Sequence, residues 1–136
     1  MSDFNEQIIA EFRAHHGRVT TAGFGDSLIL LHHTGAKSGT VRVSPLMGIP
    51  ADGGWLIAAS KAGAPDEPAW AHNLRAHPQV TVETGDGEHP ATARELTGAD
   101  RDAAWARFVA ASPGFAEYEK RTTRTIAVFS LARTDD

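Results

Sequence analysis

The sequence predicts a mixed α+β chain, mainly β, in which about six antiparallel strands close into a small barrel or roll with helices set around it. Three observations predict it. Short apolar runs alternate with hairpin turns rich in Gly, Asp and Pro. Helical patterns are inserted between these runs at intervals rather than after each one. A clean strand–helix–strand alternation is missing, which disfavours a doubly wound dinucleotide-binding fold.

Residues 3–16 read as a helix. Asp3 and Glu6 form a capping box, Phe4, Ile8, Ile9 and Phe12 share one face, and Gly17 stops it. That face packs on the core or, in the alternative, meets a membrane or a partner. The helix is short and not strongly basic, which weakens the membrane version. Ser27 to His33 is a short buried strand, and the turn Thr34 to Gly39 follows. Val41 to Ile49 resumes extended structure, with Pro45 at an edge or an irregular point. Asp52-Gly53-Gly54 is a hairpin turn into a strand from Trp55 to Ala59. Ser60 to Pro68 is a loop, and Pro68 to Ala76 a short helix with proline in its first turn. Gln79 to Glu83 and Ala91 to Leu96 are strands around an Asp86-Gly87 turn. Thr97 or Asp100 caps a helix to about Ala111, with Ala103, Ala104, Phe108 and Ala111 on one face and Trp105 beside them. Ser112-Pro113-Gly114 breaks it, a short helix covers Phe115 to Lys120, and Ile126 to Leu131 closes the sheet. Arg133 to Asp136 is expected to fray.

The length of 136 residues fits one domain, 1–136. Cysteine is absent, which excludes disulfides, thiolate zinc sites, iron–sulfur clusters and a cysteine nucleophile. No apolar run approaches the roughly 18 residues of a membrane span, and the acidic start Met1-Ser2-Asp3-Phe4-Asn5-Glu6 has no signal-peptide core. A cytoplasmic location is therefore expected. The net charge of −4 argues against nucleic-acid binding. From Ser27 to Ala64, however, Lys37, Arg42 and Lys61 face only Asp52, so that window carries +2 and the rest of the chain −6. Such an island points to a discrete anionic ligand; chance clustering of surface charge is the alternative.

Gly35-Ala36-Lys37-Ser38-Gly39 lacks the glycine spacing of a nucleotide-hydrolysing phosphate loop. The looser physics survives: two glycines turn the backbone sharply beside a lysine, Ser38 adds a hydroxyl, and Arg42 can fork onto a phosphate or carboxylate. A plain hairpin turn is the other reading. Ala59-Ser60-Lys61-Ala62-Gly63-Ala64 is a second small-residue turn with a hydroxyl and a cation, or else a solvent loop. Two such turns at strand ends can face one groove. The seven histidines show no metal-binding spacing with a carboxylate, so no metal is expected, and His32 and His33 point to opposite faces of their strand. Asp66-Glu67 looks solvated, and no nucleophile elbow or Ser–His–Asp set is present, so nothing resembles a hydrolase. The single tyrosine, Tyr118, either donates at a pocket mouth or packs a helix on the barrel.

Four blocks carry a family resemblance: Thr34-Gly35-x-Lys37-Ser38-Gly39-x-x-Arg42-x-x-Pro45-Leu46, Ala58-Ala59-Ser60-Lys61-x-Gly63-Ala64, Pro68-x-Trp70-x-x-Asn73-Leu74-x-Ala76-x-Pro78 and Arg121-Thr122-Thr123-Arg124-Thr125-Ile126. Together, from about Leu28 to Val128, they resemble the deazaflavin-dependent nitroreductase family. The resemblance implies a split β-barrel related to flavin-binding and pyridoxamine-oxidase-like folds. It implies the coenzyme F-420, whose tail carries a phosphate and an oligoglutamate. By analogy Lys37, Ser38 and Arg42 hold the phosphate and nearby tail, while Ser44, Pro45, Leu46, Ala58, Ser60, Lys61, Gly63, Trp70 and Asn73 line the ring or its linker. Nitroreductase-type members carry three aromatic hydroxyls in the segment matching Ser112 to Tyr118. Here Ser112 and Phe115 replace two of them, only Tyr118 is kept, and Met47 stands where a pocket tyrosine can occur. Those four residues imply a more apolar substrate pocket.

The expected activity is hydride transfer from the reduced coenzyme F-420 to a quinone, enone or nitro compound. Ser60 and Tyr118 are the expected catalytic groups, the first with nearby amides against developing charge, the second orienting or protonating the acceptor. The alternatives are an FMN-dependent oxidoreductase on the same barrel and a non-catalytic deazaflavin carrier. A homodimer is expected by analogy, and peripheral membrane contact through the N-terminal helix stays open. So short a chain leaves little to enclose an acceptor, so a shallow groove is expected, completed by the C-terminal helical segment or a second subunit.

Overall fold

The computed structural model describes residues 3–20, 28–51 and 53–134, with the side chains of all of these except Asp3, Phe4 and Ala62. The expectations for Ser27, Asp52, Asp135 and Asp136, and for the side chains of Asp3 and Phe4, lie outside what is described. Helix α1 (Asp3–Ala14) precedes strands β1 (Leu28–Thr34), β2 (Val41–Met47), β3 (Ile49–Ala51) and β4 (Gly54–Ala58). A 3-10 turn (Lys61–Gly63) and α2 (Ala69–Ala76) lead to β5 (Gln79–Thr84) and β6 (Gly87–Glu95). Then come α3 (Gly98–Ala111), α4 (Gly114–Arg121) and β7 (Val128–Arg133).

All seven strands belong to one antiparallel sheet in the order β2-β1-β5-β6-β7-β4-β3. The order itself shows that the sheet is rolled. Strands β2 and β3 are its two edges, yet only Gly48 separates them in the chain. Seven flat strands would hold those edges roughly 29 Å apart, six spacings of about 4.8 Å, whereas Met47 and Ile49 lie within about 7 Å along an extended chain. The edges therefore meet at that corner, and the sheet curls into a half-barrel closed there and open elsewhere. A side chain on Gly48 would press on Ile29, with Cβ 3.0 Å from Ile29 Cγ2.

Period-two alternation sorts the strand residues between three apolar clusters. In β1, Leu28 and Leu30 join Ile8 and Phe12 of α1 on the outer side, while Ile29 and Leu31 face the barrel interior. Burial on both faces explains why β1 reads as an unbroken apolar run. The interior cluster also holds Ile57, Val82, Phe129 and Leu131, and α2 contributes Trp70, Ala71 and Leu74 to it. On the far side Leu56 and Val128 pack under Trp105, Phe108 and Phe115 from α3 and α4. Ile8 and Phe12 of α1 are thus buried against the sheet, and no described helix is long and apolar enough to cross a membrane.

Five details depart from expectation. The run Val41 to Ile49 is two strands broken at Gly48, which raises the strand number from about six to seven. Strand β6 starts at Gly87 and runs through Pro90. The Pro90 carbonyl accepts from Thr134 N–H at 2.9 Å, on the β7 side, so its absent N–H faces beyond the β6–β7 pairing and costs no bond to β5. Residue Ile126 stays outside β7 because Arg101 occupies its carbonyl, with Nε at 3.1 Å and Nη2 at 2.7 Å. Helix α3 buries Ala104, Trp105 and Phe108 and exposes Ala103 and Ala111, since the large side chains choose the face. Strand β7 also takes in Arg133, which was expected to fray.

Candidate active site

The β1–β2 connection is closed by Gly35 N–H on Thr40 O at 2.9 Å and Gly39 N–H on Gly35 O at 3.0 Å. Gly39 takes a φ of +69°, which favours glycine. Ser38 Oγ accepts from Thr40 N–H at 3.2 Å, so its own hydrogen remains free to donate. Lys37, Ser38 and Arg42 then open, with Ala69, His72 and Asn73 of α2, onto a cleft of about 620 Å³. Neither Lys37 nor Arg42 has a carboxylate partner among the described residues. Two uncompensated cations beside a hydroxyl are a donor set that suits an anion.

A second, apolar recess of about 290 Å³ lies beside it. Strand β2 supplies Pro45, Leu46 and Met47, β4 supplies Ala58, and the following loop supplies Ser60 and Lys61. Phe108 of α3 with Phe115 and Tyr118 of α4 forms the opposite wall. Phe115 and Tyr118 meet edge to face, centroids 5.4 Å apart. Two elements run along both recesses. Arg42 lies on the cleft and Leu46 on the apolar recess, both from β2; Ala69 borders the cleft while Pro68 and Trp70 border the recess at the start of α2. Anion site and apolar recess are therefore adjoining parts of one groove.

Arg124 shapes its floor. Its guanidinium donates to three carbonyls, Ala59 O at 3.1 Å, Ser60 O at 3.0 Å and Ala64 O at 3.1 Å. The loop so held carries Lys61 at a φ of +45° and Gly63 at +80°. A Cβ on Gly63 would lie 2.8 Å from both Tyr118 O and Arg121 Cβ, so this glycine allows α4 to seat against the loop. Lys61 pairs with Asp66 at 2.9 Å, which takes its charge away from the anion cleft and holds the Asp66 carboxyl below the usual range.

Of the residues singled out in the sequence, Lys37, Ser38, Arg42 and Asn73 gather on the cleft, and Pro45, Leu46, Met47, Ala58, Ser60, Lys61, Trp70, Phe115 and Tyr118 on the apolar recess. Three lie off both walls. Gly63 packs against α4, Ser112 ends α3 and accepts from Phe115 N–H at 3.1 Å, and Ser44 bonds His33 at 2.9 Å. Trp70 is only 6% exposed and meets Phe129 edge to face, centroids 5.8 Å apart. Sequence reasoning missed Asn5, Ile8 and Leu28 on the recess wall, because nothing local says that α1 packs beside β2. Phe108 was read as core, which it also is. Away from the groove, His32, Glu83 and Glu88 converge from β1, β5 and β6. Arg13 donates twice to Glu83 at 3.0 Å and His32 sits 2.8 Å from it, so that carboxylate is already engaged and held below its usual range, first by the Arg13 bonds.

Residues 6–133 match the family described as F-420H(2)-dependent quinone reductase. The chain belongs to that family. An F-420H(2)-dependent quinone reductase of Mycobacterium tuberculosis is 36% identical over 129 residues, covering 91% of this chain and 86% of its own length. Among solved structures, an F-420-H2 dependent reductase (FDR-A) is 43% identical with a TM-score of 0.71, over 77% of this chain and 93% of its own. A chain solved as a domain-swapped dimer is 38% identical with a TM-score of 0.74, over 94% and 96%. Membership in the quinone reductase family makes the chain an oxidoreductase with reduced F-420 as hydride donor. The residues present fit that group. Its phosphate and carboxylates match the unpaired Lys37 and Arg42, and its flat ring matches an apolar recess bounded by small and aromatic side chains.

Proposed function

We propose that the groove binds reduced F-420 along β2 and α2 and passes its reducing equivalents to a quinone that enters beside α4. The observation that carries this reading is the continuity of the cationic cleft with the apolar recess along those two elements. Lys37, Ser38 and Arg42 hold the anionic tail, while Leu46, Pro45, Ala58 and the loop at Ser60 face the ring. When bound, the reduced cofactor supplies the hydride. The protein orients and desolvates: Phe108, Phe115 and Met47 exclude water, and Ser60 with the loop amides donates toward developing charge. Tyr118, held edge-on by Phe115 with Arg121 near its ring, orients the acceptor and can give it a proton. The aromatic, largely apolar wall suits a quinone, the substrate that the relatives are named for.

The test is a fluorescence titration of F-420 beside FMN, followed by oxidation of the reduced coenzyme with a quinone, an enone and a nitro compound. Binding of F-420 in preference to FMN with turnover of the quinone is expected. Retained FMN, or tight F-420 binding without turnover of any acceptor, overturns the reading. A homodimer belongs to the same proposal, supported by the likeness to the domain-swapped dimer; a sedimentation mass of twice 14.5 kDa is expected.

A further inference from the structure

Behind the cleft, a buried chain of polar groups joins its two sides. His33, on the interior face of β1, is 3% exposed, and Asn73 on α2 is 7% exposed. Ala36 N–H lies 2.9 Å from Asn73 Oδ1, Asn73 Nδ2 lies 3.0 Å from His33 Nδ1, and His33 Nε2 lies 2.9 Å from Ser44 Oγ.

The donor and acceptor roles along this chain follow one from another. A backbone N–H can only donate, so the Asn73 atom facing Ala36 is the carbonyl oxygen. The amide nitrogen then faces His33, and it too can only donate. His33 Nδ1 must therefore offer a lone pair, which makes the ring neutral with its hydrogen on Nε2. That hydrogen goes to Ser44 Oγ, so the Ser44 hydroxyl is an acceptor toward the interior and its own hydrogen is left to point elsewhere. Ser44 shares a strand face with Arg42 and Leu46, each two residues away, or about 6.7 Å along the strand. Arg42 lines the anion cleft and Leu46 the apolar recess. A ligand that spans both runs along the stretch of β2 that carries Ser44, although Ser44 itself lines neither recess.

We propose that His33 is a positioning residue for the cofactor site: through a relay from Ala36 and Asn73 it fixes the Ser44 hydroxyl as a donor to an oxygen of the segment between the ligand's ring and its phosphate. The relay also pins the phosphate turn to α2, since the Ala36 amide is spent on Asn73 and is unavailable to the anion. Asn73 acts in the same way, through His33 and the turn, from a side chain that also lines the cleft. This inference rests on the F-420 reading above.

Two measurements test it. Nitrogen-15 NMR of the folded wild type at neutral pH should show His33 as the Nε2–H tautomer; an Nδ1–H tautomer or a charged ring overturns the relay. F-420 titrations, run beside Tm so that unfolding is scored separately, should show Ser44→Ala binding about two- to tenfold more weakly, the worth of one neutral hydrogen bond. Ser44→Thr should restore affinity. His33→Phe should weaken binding by a similar factor, and the double variant should be no worse than either single one. Wild-type affinity in Ser44→Ala, or penalties that multiply in the double variant, overturns the proposal alone. A wild type that fails to bind F-420 overturns the cofactor reading and this proposal with it.

Discussion

Arg42 and Lys61 carry the same formal charge but do different work. Lys61 neutralises Asp66, whereas Arg42 faces the cleft with no acidic neighbour among the described residues. Arg42→Ala should therefore remove a charged, bidentate contact made equally in ground and transition states. By the charge-assisted hydrogen-bond scale the loss is about 1.5–3 kcal/mol, or roughly 10–150-fold in cofactor affinity. The change should appear in the KM for reduced F-420 far more than in kcat, and steady-state kinetics will separate the two. Equal KM values for variant and wild type would remove Arg42 from the anion site. The residue scale is also where the sequence was most informative. Lys37, Ser38 and Arg42 form a local cluster that a short turn brings together, and α2 completes the cleft they open onto. Ser44 and His33 were harder to read, because their roles depend on Asn73, forty residues from His33 and on another element. Only packing reveals that dependence.

At the scale of elements, the loop after β4 shows how distant chain shapes the groove. Two bonds within the loop close its turn, Gly63 N–H on Ser60 O at 2.9 Å and Ala64 N–H on Lys61 O at 3.0 Å, and Arg124 gathers three of its carbonyls from a distant part of the chain. Arg124→Ala should take the guanidinium from those three acceptors and let the loop relax. A stability loss of about 1–3 kcal/mol is expected, in the range for a charged group on backbone carbonyls. Because Ser60 lies on the loop and Tyr118 packs against it through Gly63, kcat should fall along with Tm. Arg124→Lys should rescue little, since an ammonium cannot fork over three oxygens as a guanidinium does. Urea denaturation beside single-turnover oxidation of the reduced coenzyme checks both. Full activity in Arg124→Ala would mean that the loop is set by its own sequence. The strands themselves were legible wherever alternation or a glycine turn marked them. The break at Gly48 was not, because the sequence around it stays extended and apolar; only the sheet order shows that the chain changes edges there.

For the whole molecule, the buried relay ties stability to pH. Burial first, then the positive charge of nearby Arg42, lower the His33 pKa from 6.5 to about 4. The unfolded chain therefore binds a proton between about pH 6.5 and 4 that the folded chain refuses, and stability rises with pH across that window. The contribution is whole above pH 6.5, falls as pH drops, and is gone below about 4. A shift of this size corresponds to about 3 kcal/mol. Carboxylates act lower on the scale with the same sign. Glu67, bonded by Arg75, and Glu83, bonded by Arg13, are both held below the usual carboxylate range, so their contributions are lost only as pH falls beneath about 4.5. The histidine and carboxylate effects can thus be separated by pH alone. Urea denaturation of the wild type between pH 7.5 and 5 should show a steady loss of stability, and His33→Phe should flatten it while leaving the steeper fall below pH 4.5. A variant that retains the wild-type slope between pH 6.5 and 5 would show that His33 is not the group that couples folding to acid. It would also remove the demand for a neutral ring on which the Ser44 geometry depends.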